Sequence, residues 1–192
     1  INFKVGADYN ALKDYTKALQ YLQKSIDLIE SSDYGPNSVA YLNIAQIYIY
    51  QNKLDKALEY ATKGLDIAKT MQNKVEINHS HIVLSKIFRQ QKKYDLSVSN
   101  AKEALKIGQE IEHPAEINMA AKQLYEIYTE TKETDKANTY HQLYIETKTI
   151  LDNQESKNAL LEQKLKYEYE KKELLTKAEN EKKLVEITSA NE

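Results

Sequence analysis

Few side chains in this chain of 192 residues could do acid–base or metal chemistry, and their spacing works against them. The histidines are His79, His81, His113 and His141. His79 and His81 are two apart, which on a helix turns them about 200° from each other, so they cannot share one ion. His113 precedes Pro114 and suits a loop, while His141 falls at a packing position. Glu126 and Glu130 share a helix face at i, i+4, but a paired-carboxylate catalyst needs a dry pocket to split their pKa values, and nothing in the sequence suggests one. With no cysteine, thiol nucleophiles, thiolate metal sites and disulfides are excluded. There is no glycine-rich phosphate loop, nucleophile elbow or metal motif. The expectation is a non-catalytic segment with no metal and no cofactor.

The elements that would position any site are helices. Four Gly and two Pro are too few for a sheet protein with many tight turns, and Lys, Glu, Leu, Ala, Ile and Tyr dominate. A mean hydropathy of -0.70 and the lack of a long apolar run exclude a membrane span here. The 27 basic residues, of which only Arg89 is arginine, are balanced by 29 acidic ones, so no basic field exists to hold nucleic acid. The chain opens at Ile1 with no signal-peptide pattern and reads as a cut-out from something longer.

Self-similarity organises the chain. The stretch YLNIAQIYIYQNKLDKALEYATKGLDIA from Tyr41 recurs forty positions on as HIVLSKIFRQQKKYDLSVSNAKEALKIG from His81. Ala45 falls on Ser85, Tyr48 on Phe88, Ala61 on Ala101, Gly64 on Ala104 and Ile67 on Ile107. A further copy puts Leu124, Tyr128 and Ala137 on Leu84, Phe88 and Ser97, and an earlier one puts Gly6, Tyr9, Ala18 and Ser25 on Ala45, Tyr48, Ala57 and Gly64. Each copy reads as two amphipathic helices: Tyr41, Ile44, Ala45 and Tyr48, then Leu54, Ala57, Leu58 and Ala61, keep helical spacing on either side of a polar break. Small Ala45 and Ala57 mark a close helix crossing. Pro36 and Pro114 sit just ahead of a first helix, where a missing N–H costs least.

This pattern of large, small and aromatic residues on a first helix and small residues on a second resembles the tetratricopeptide repeat family. The resemblance covers residues 1 to about 150 and implies an all-α right-handed superhelix, a solenoid of four helix pairs with the first truncated. The period of forty exceeds the family's usual length of about 34, which predicts lengthened helices. Copy four departs from the pattern, with Tyr125 where a small residue is expected and His141 where Ala or an aromatic is, so its helix crossing should be less tight.

Residues 151–192 change texture and contain neither Pro nor Gly, predicting an extended charged helix. Glu162–Lys166, Glu168–Lys172, Glu173–Lys177 and Glu179–Lys183 sit at i, i+4 in the favourable order. A heptad through Leu160, Tyr167 and Leu174 has Lys157, Lys164 and Lys171 before Ala178 and Val185 on its companion positions, half a coiled-coil seam. Homodimerisation through this helix is the associated expectation. The stretch KLKYEYEKKELL after such an array resembles the junction of bacterial sensor proteins with a histidine kinase or DNA-binding output. That implies a signal-transduction parent of two-component type, with these residues periplasmic or, alternatively, cytoplasmic.

In such a solenoid the first helices line the concave side, so their exposed positions are the candidate ligand surface for a protein or peptide. In copy two these include Asn43, Gln46 and Tyr50; in copy three His79, Lys86, Arg89 and Gln90; in copy four Gln123 and Glu126. Asn43, Gln46 and Gln123 can donate to and accept from an extended peptide backbone, while Leu42, Ile49, Ile82, Val83 and Met119 would take apolar side chains. By family resemblance, Asn43 matches a peptide-contacting asparagine. The competing reading of the charged set is that Lys86 and Arg89 only pair with Glu126 and Glu130 across neighbouring helices. A second expectation for the whole is a structural adaptor that self-associates through its groove or terminal helix.

Overall fold

The computed structural model describes residues 14–30 and 38–189. Gly6, Tyr9 and Pro36 lie outside the described residues, as do the side chains of Leu174, Ala178 and Val185 and the Glu179–Lys183 pair. Seven helices and no strand are found among the described residues: α1 (Tyr15–Glu30), α2 (Ser38–Tyr50), α3 (Leu54–Thr70), α4 (Lys74–Gln90), α5 (Tyr94–Glu110), α6 (Pro114–Glu130) and α7 (Thr134–Ser189). The chain divides into two units, residues 1–148 and 149–192.

The forty-residue period resolves into two helices of 17 residues, as in α4 and α5, with three-residue connections between them. Every connection from α2 to α7 ends its helix in the same way. Asn52, Gln72, Lys92, Glu112 and Lys132, spaced twenty apart, all take the left-handed conformation with φ between 51° and 61°. The next residue's N–H then reaches back five residues, for example Lys93 to the Phe88 carbonyl at 2.8 Å. This Schellman closure satisfies carbonyls that the helix end would leave bare, usually with glycine at the left-handed position. Here each turn carries a side chain instead, and accepts the strain that comes with it. Pro114 opens α6, as its position predicts.

Small residues decide the crossings within each pair. Ala45 and Ala57 are fully buried. At the equivalent crossing Ser85 and Ser97 replace them and exchange hydrogen bonds: Ser85 Oγ donates to the Ser97 carbonyl at 2.9 Å and Ser97 Oγ to the Ser85 carbonyl at 2.8 Å. Hydroxyls there stay small and pay their own desolvation by mutual bonding. In the last pair, Tyr125 instead packs tilted against His141, ring centres 4.7 Å apart, and Tyr128 stacks on Tyr140 at 5.6 Å.

The first helices form the inner layer. α2 and α4 each touch their own second helix, the preceding second helix and the next first helix, and α6 touches α5, α4 and, through Asn118, α7; none of α1, α3 and α5 touches another of these three. Closer spacing on one side curves the stack, so the first helices lie on the concave face. For α2 the result is burial nearly all round, including Leu42, Ile44, Ala45, Ile47 and Ile49. This corrects one expectation. Leu42, Ile49, Ile82 and Val83, read as apolar ligand contacts, are core residues, at most 8% exposed. A first helix with three neighbours, as α2 has, or four, as α4 has, has little apolar surface left for a partner.

In the second unit, residues 152–173 of α7 are exposed throughout. Glu162–Lys166, Glu168–Lys172 and Glu173–Lys177 do not close into ion pairs; Lys166 turns to Glu170 at 4.0 Å. Pairs of this kind are worth only a few tenths of a kcal/mol, about what fixing two long side chains costs. No described helix is long and apolar enough to cross a membrane.

Candidate functional site: the concave face

Register places Gln46, Lys86 and Glu126 at one level of α2, α4 and α6, with the helices' own 3.6-residue repeat setting their neighbours. Arg89, one turn beyond Lys86, is fully engaged. Its Nη1 meets the Glu126 carboxylate and its Nε lies 3.5 Å from Glu130 Oε1. Gln123 Nε2 donates to the same Glu126 oxygen at 3.4 Å. The expected cross-helix pairing is therefore present for Arg89. Lys86 behaves differently: it is half-buried and, among the described residues, has no hydrogen bond or ion pair. Burial pushes its ammonium below the usual lysine range, with Glu126 pulling the other way and Arg89 and Lys122 adding to the fall.

The amides divide as well. Gln46 is half-buried, with no hydrogen bond among the described residues. Asn43 is half-buried and spends its Nδ2 on the Val39 carbonyl of its own helix at 2.9 Å, leaving Oδ1 to accept. Gln123 is 4% exposed and so lies beneath the face rather than on it, a second correction; its Oε1 is buried without a hydrogen-bond partner. Gln90 is exposed. Tyr50 is exposed but stacks on Tyr15 at 5.9 Å, anchoring it to α1.

His79 belongs to a different arrangement. Its Nε2 lies 3.0 Å from Oε2 of Glu116, whose Oε1 is 3.6 Å from His113 Nδ1. Glu116 is 3% exposed, in the first turn of α6, where the helix N-terminus favours negative charge. The group brings α4 and α6 side chains together, though Glu116 Oε2 makes no hydrogen bond. Among the described residues, no set of three or more His, Asp or Glu side chains is arranged to hold a metal ion.

One structural device escaped the sequence reading. Asn78 and Asn118, forty residues apart, each donate to a carbonyl 26 residues on: Asn78 Nδ2 to Ala104 at 2.6 Å and Asn118 Nδ2 to Tyr144 at 2.8 Å. Asn118 also reaches Thr147 Oγ1 at 2.9 Å. These latches lock first helix to second helix within a repeat. Their signal was visible as Asn falling on Asn at the repeat offset, as was Glu76 falling on Glu116.

Comparison with known proteins agrees with this geometry. Residues 1–70 match the family model described as tetratricopeptide repeat. No curated protein matches the sequence. Among solved structures, the chain is similar to BtubC (BKLC) from P. vanneervenii, with a TM-score of 0.68 and 15% identity over 79% of this chain and 63% of that one. It is also similar to the apo form of RapI, with a TM-score of 0.62 and 19% identity over 76% of this chain and 41% of that one. The chain thus spans less than two thirds of either structure's length, and at these identities the likeness is one of fold.

Proposed function

We propose that the concave face formed by α2, α4 and α6 binds a protein partner through an extended segment, making this chain the interaction or sensory portion of a larger signalling protein. The observation that carries the reading is Lys86: a half-buried ammonium on the inner layer that closes no ion pair of its own, its nearby carboxylate, Glu126, being already engaged by Arg89, which meets two. Burying an unpaired cation costs stability, and a partner carboxylate or carbonyl at this point would repay it. Gln46 and the Oδ1 of Asn43 supply the donor and acceptors that an extended backbone needs. The tetratricopeptide match over residues 1–70 and the solenoid fold of the similar structures support an interaction scaffold over an enzyme.

The test is fluorescence anisotropy with labelled short peptides, acidic and basic sets compared, on the wild type, the Asn43→Ala/Gln46→Ala pair and Lys86→Met. The expected result is a preference for acidic peptides that Lys86→Met removes, and weaker binding by the pair with an almost unchanged melting temperature. Equal affinity of all three proteins for both sets would refute the site. A second reading, an adaptor that self-associates, is favoured by the apolar side chains Leu160, Leu161 and Leu165 on α7, each more than half exposed.

A further inference from the structure

The second unit presents an apolar face whose flanks carry an ordered charge pattern. Leu161 and Leu165 are 56% and 58% exposed and four apart, on one side of α7. Placing Leu161 at a heptad d position and Leu165 at the next a position puts Leu151 and Asn158 at the preceding a positions and Gln154 at d. Lys157, Lys164 and Lys171, which obstruct the seam through Leu160 and Tyr167, then leave the seam and become one flank, at g. Glu155 and Glu162 form the other flank, at e. Among the described residues, Glu155, Lys157, Glu162 and Lys164 make no ion pair within their own helix.

Taking the self-association reading as its basis, we infer that residues 151–165 of α7 pair with the same residues of a second copy, parallel and in register. Charge decides the orientation. In a parallel pair each g residue faces the e residue five positions on in the partner, so Lys157 meets Glu162 twice, and Lys164 meets Tyr169, a ring able to receive a cation. An antiparallel pair centred on the same leucines would set Lys164 against Lys164 and Glu162 against Glu162. Asn158 at an a position meets its own copy across the axis, which rewards two strands in one register. Glu168 at d and Lys172 at a end the seam, so it is about two heptads long and dissociates readily on dilution.

The absence of native cysteine makes the test clean. Sedimentation of the full 192-residue chain over a dilution series reads association; mild oxidation of single-cysteine variants reads geometry. Asn158→Cys is expected to form a disulfide dimer at concentrations where the chain associates, far faster than Gln163→Cys on the outer side of the helix. Lys157→Glu is expected to weaken dimerisation about tenfold, and Lys157→Glu with Glu162→Lys to restore it. A chain that stays monomeric at every concentration overturns the self-association reading itself. A dimer in which Asn158→Cys links only to Glu168→Cys, or in which Gln163→Cys links as fast, overturns the parallel register while leaving self-association standing.

Discussion

Gly108→Ala and Gly64→Ala are the same substitution in the same kind of helix, yet the structure expects them to differ in sign. A Cβ on Gly108 would lie 2.9 Å from the Ile117 backbone nitrogen and 3.1 Å from the Glu116 carbonyl carbon. Both belong to the first turn of α6, so the methyl can be accommodated only by moving that helix. Overpacking against such a neighbour costs about 1–3 kcal/mol, while replacing a helical glycine by alanine returns at most about 1 kcal/mol. On Gly64 the Cβ would meet only the Leu42 side chain closely, Cδ2 at 2.9 Å and Cγ at 3.1 Å, with the Ser38 carbonyl at 3.4 Å, so a side chain rather than a helix backbone has to give. Ala104 already occupies the position equivalent to Gly64, fully buried, against Ile82 and beneath Asn78. Gly108→Ala is therefore expected to lose about 1–2 kcal/mol and Gly64→Ala to gain up to about 1 kcal/mol. For a unit of this size that separates the two melting temperatures by roughly 3–8 °C. Urea and thermal denaturation followed by circular dichroism measure it, with the slope of the urea transition checking that the same surface is exposed in each. Two variants of equal stability, or a Gly108→Ala chain more stable than the wild type, would refute the argument that backbone proximity at the α5–α6 joint requires glycine.

Asn118→Ala removes two hydrogen bonds, to the Tyr144 carbonyl and Thr147 Oγ1, and should cost about 1–2 kcal/mol while raising amide exchange selectively over the first turns of α7; uniform exchange with no loss of stability would dismiss the latch. Lys86→Met removes a buried cation whose charged form the fold disfavours. Below the depressed folded pKa both folded and unfolded states are protonated and the penalty is complete, and it fades as pH rises through that value toward the ordinary 10.5. The variant should therefore melt higher than the wild type at pH 7, with the gap shrinking toward pH 10.5; a gap independent of pH would point to packing alone. Glu112→Gly relieves a left-handed φ of 51° and should stabilise the chain by about 0.5–1 kcal/mol in urea denaturation, whereas destabilisation would show that the side chain holds the turn.

Periodicity settled the architecture from sequence alone. An apolar pattern recurring every forty residues, with small residues at fixed offsets, allows little other than stacked helical hairpins, because those offsets are where backbones must approach. The pattern could not say how many neighbours each helix would have. Leu42 and Val83 look like groove residues on a helix with one buried face and are core on helices that touch three and four others. Likewise, Lys86 and Arg89 are indistinguishable as two basic residues three apart. In the structure Arg89 meets Glu126 and Glu130 of α6, while Lys86 stays half-buried and closes no ion pair. A sequence records what each side chain is able to do; which neighbours claim it is settled by packing between helices forty residues apart, and the concave face consists of the side chains that packing left over.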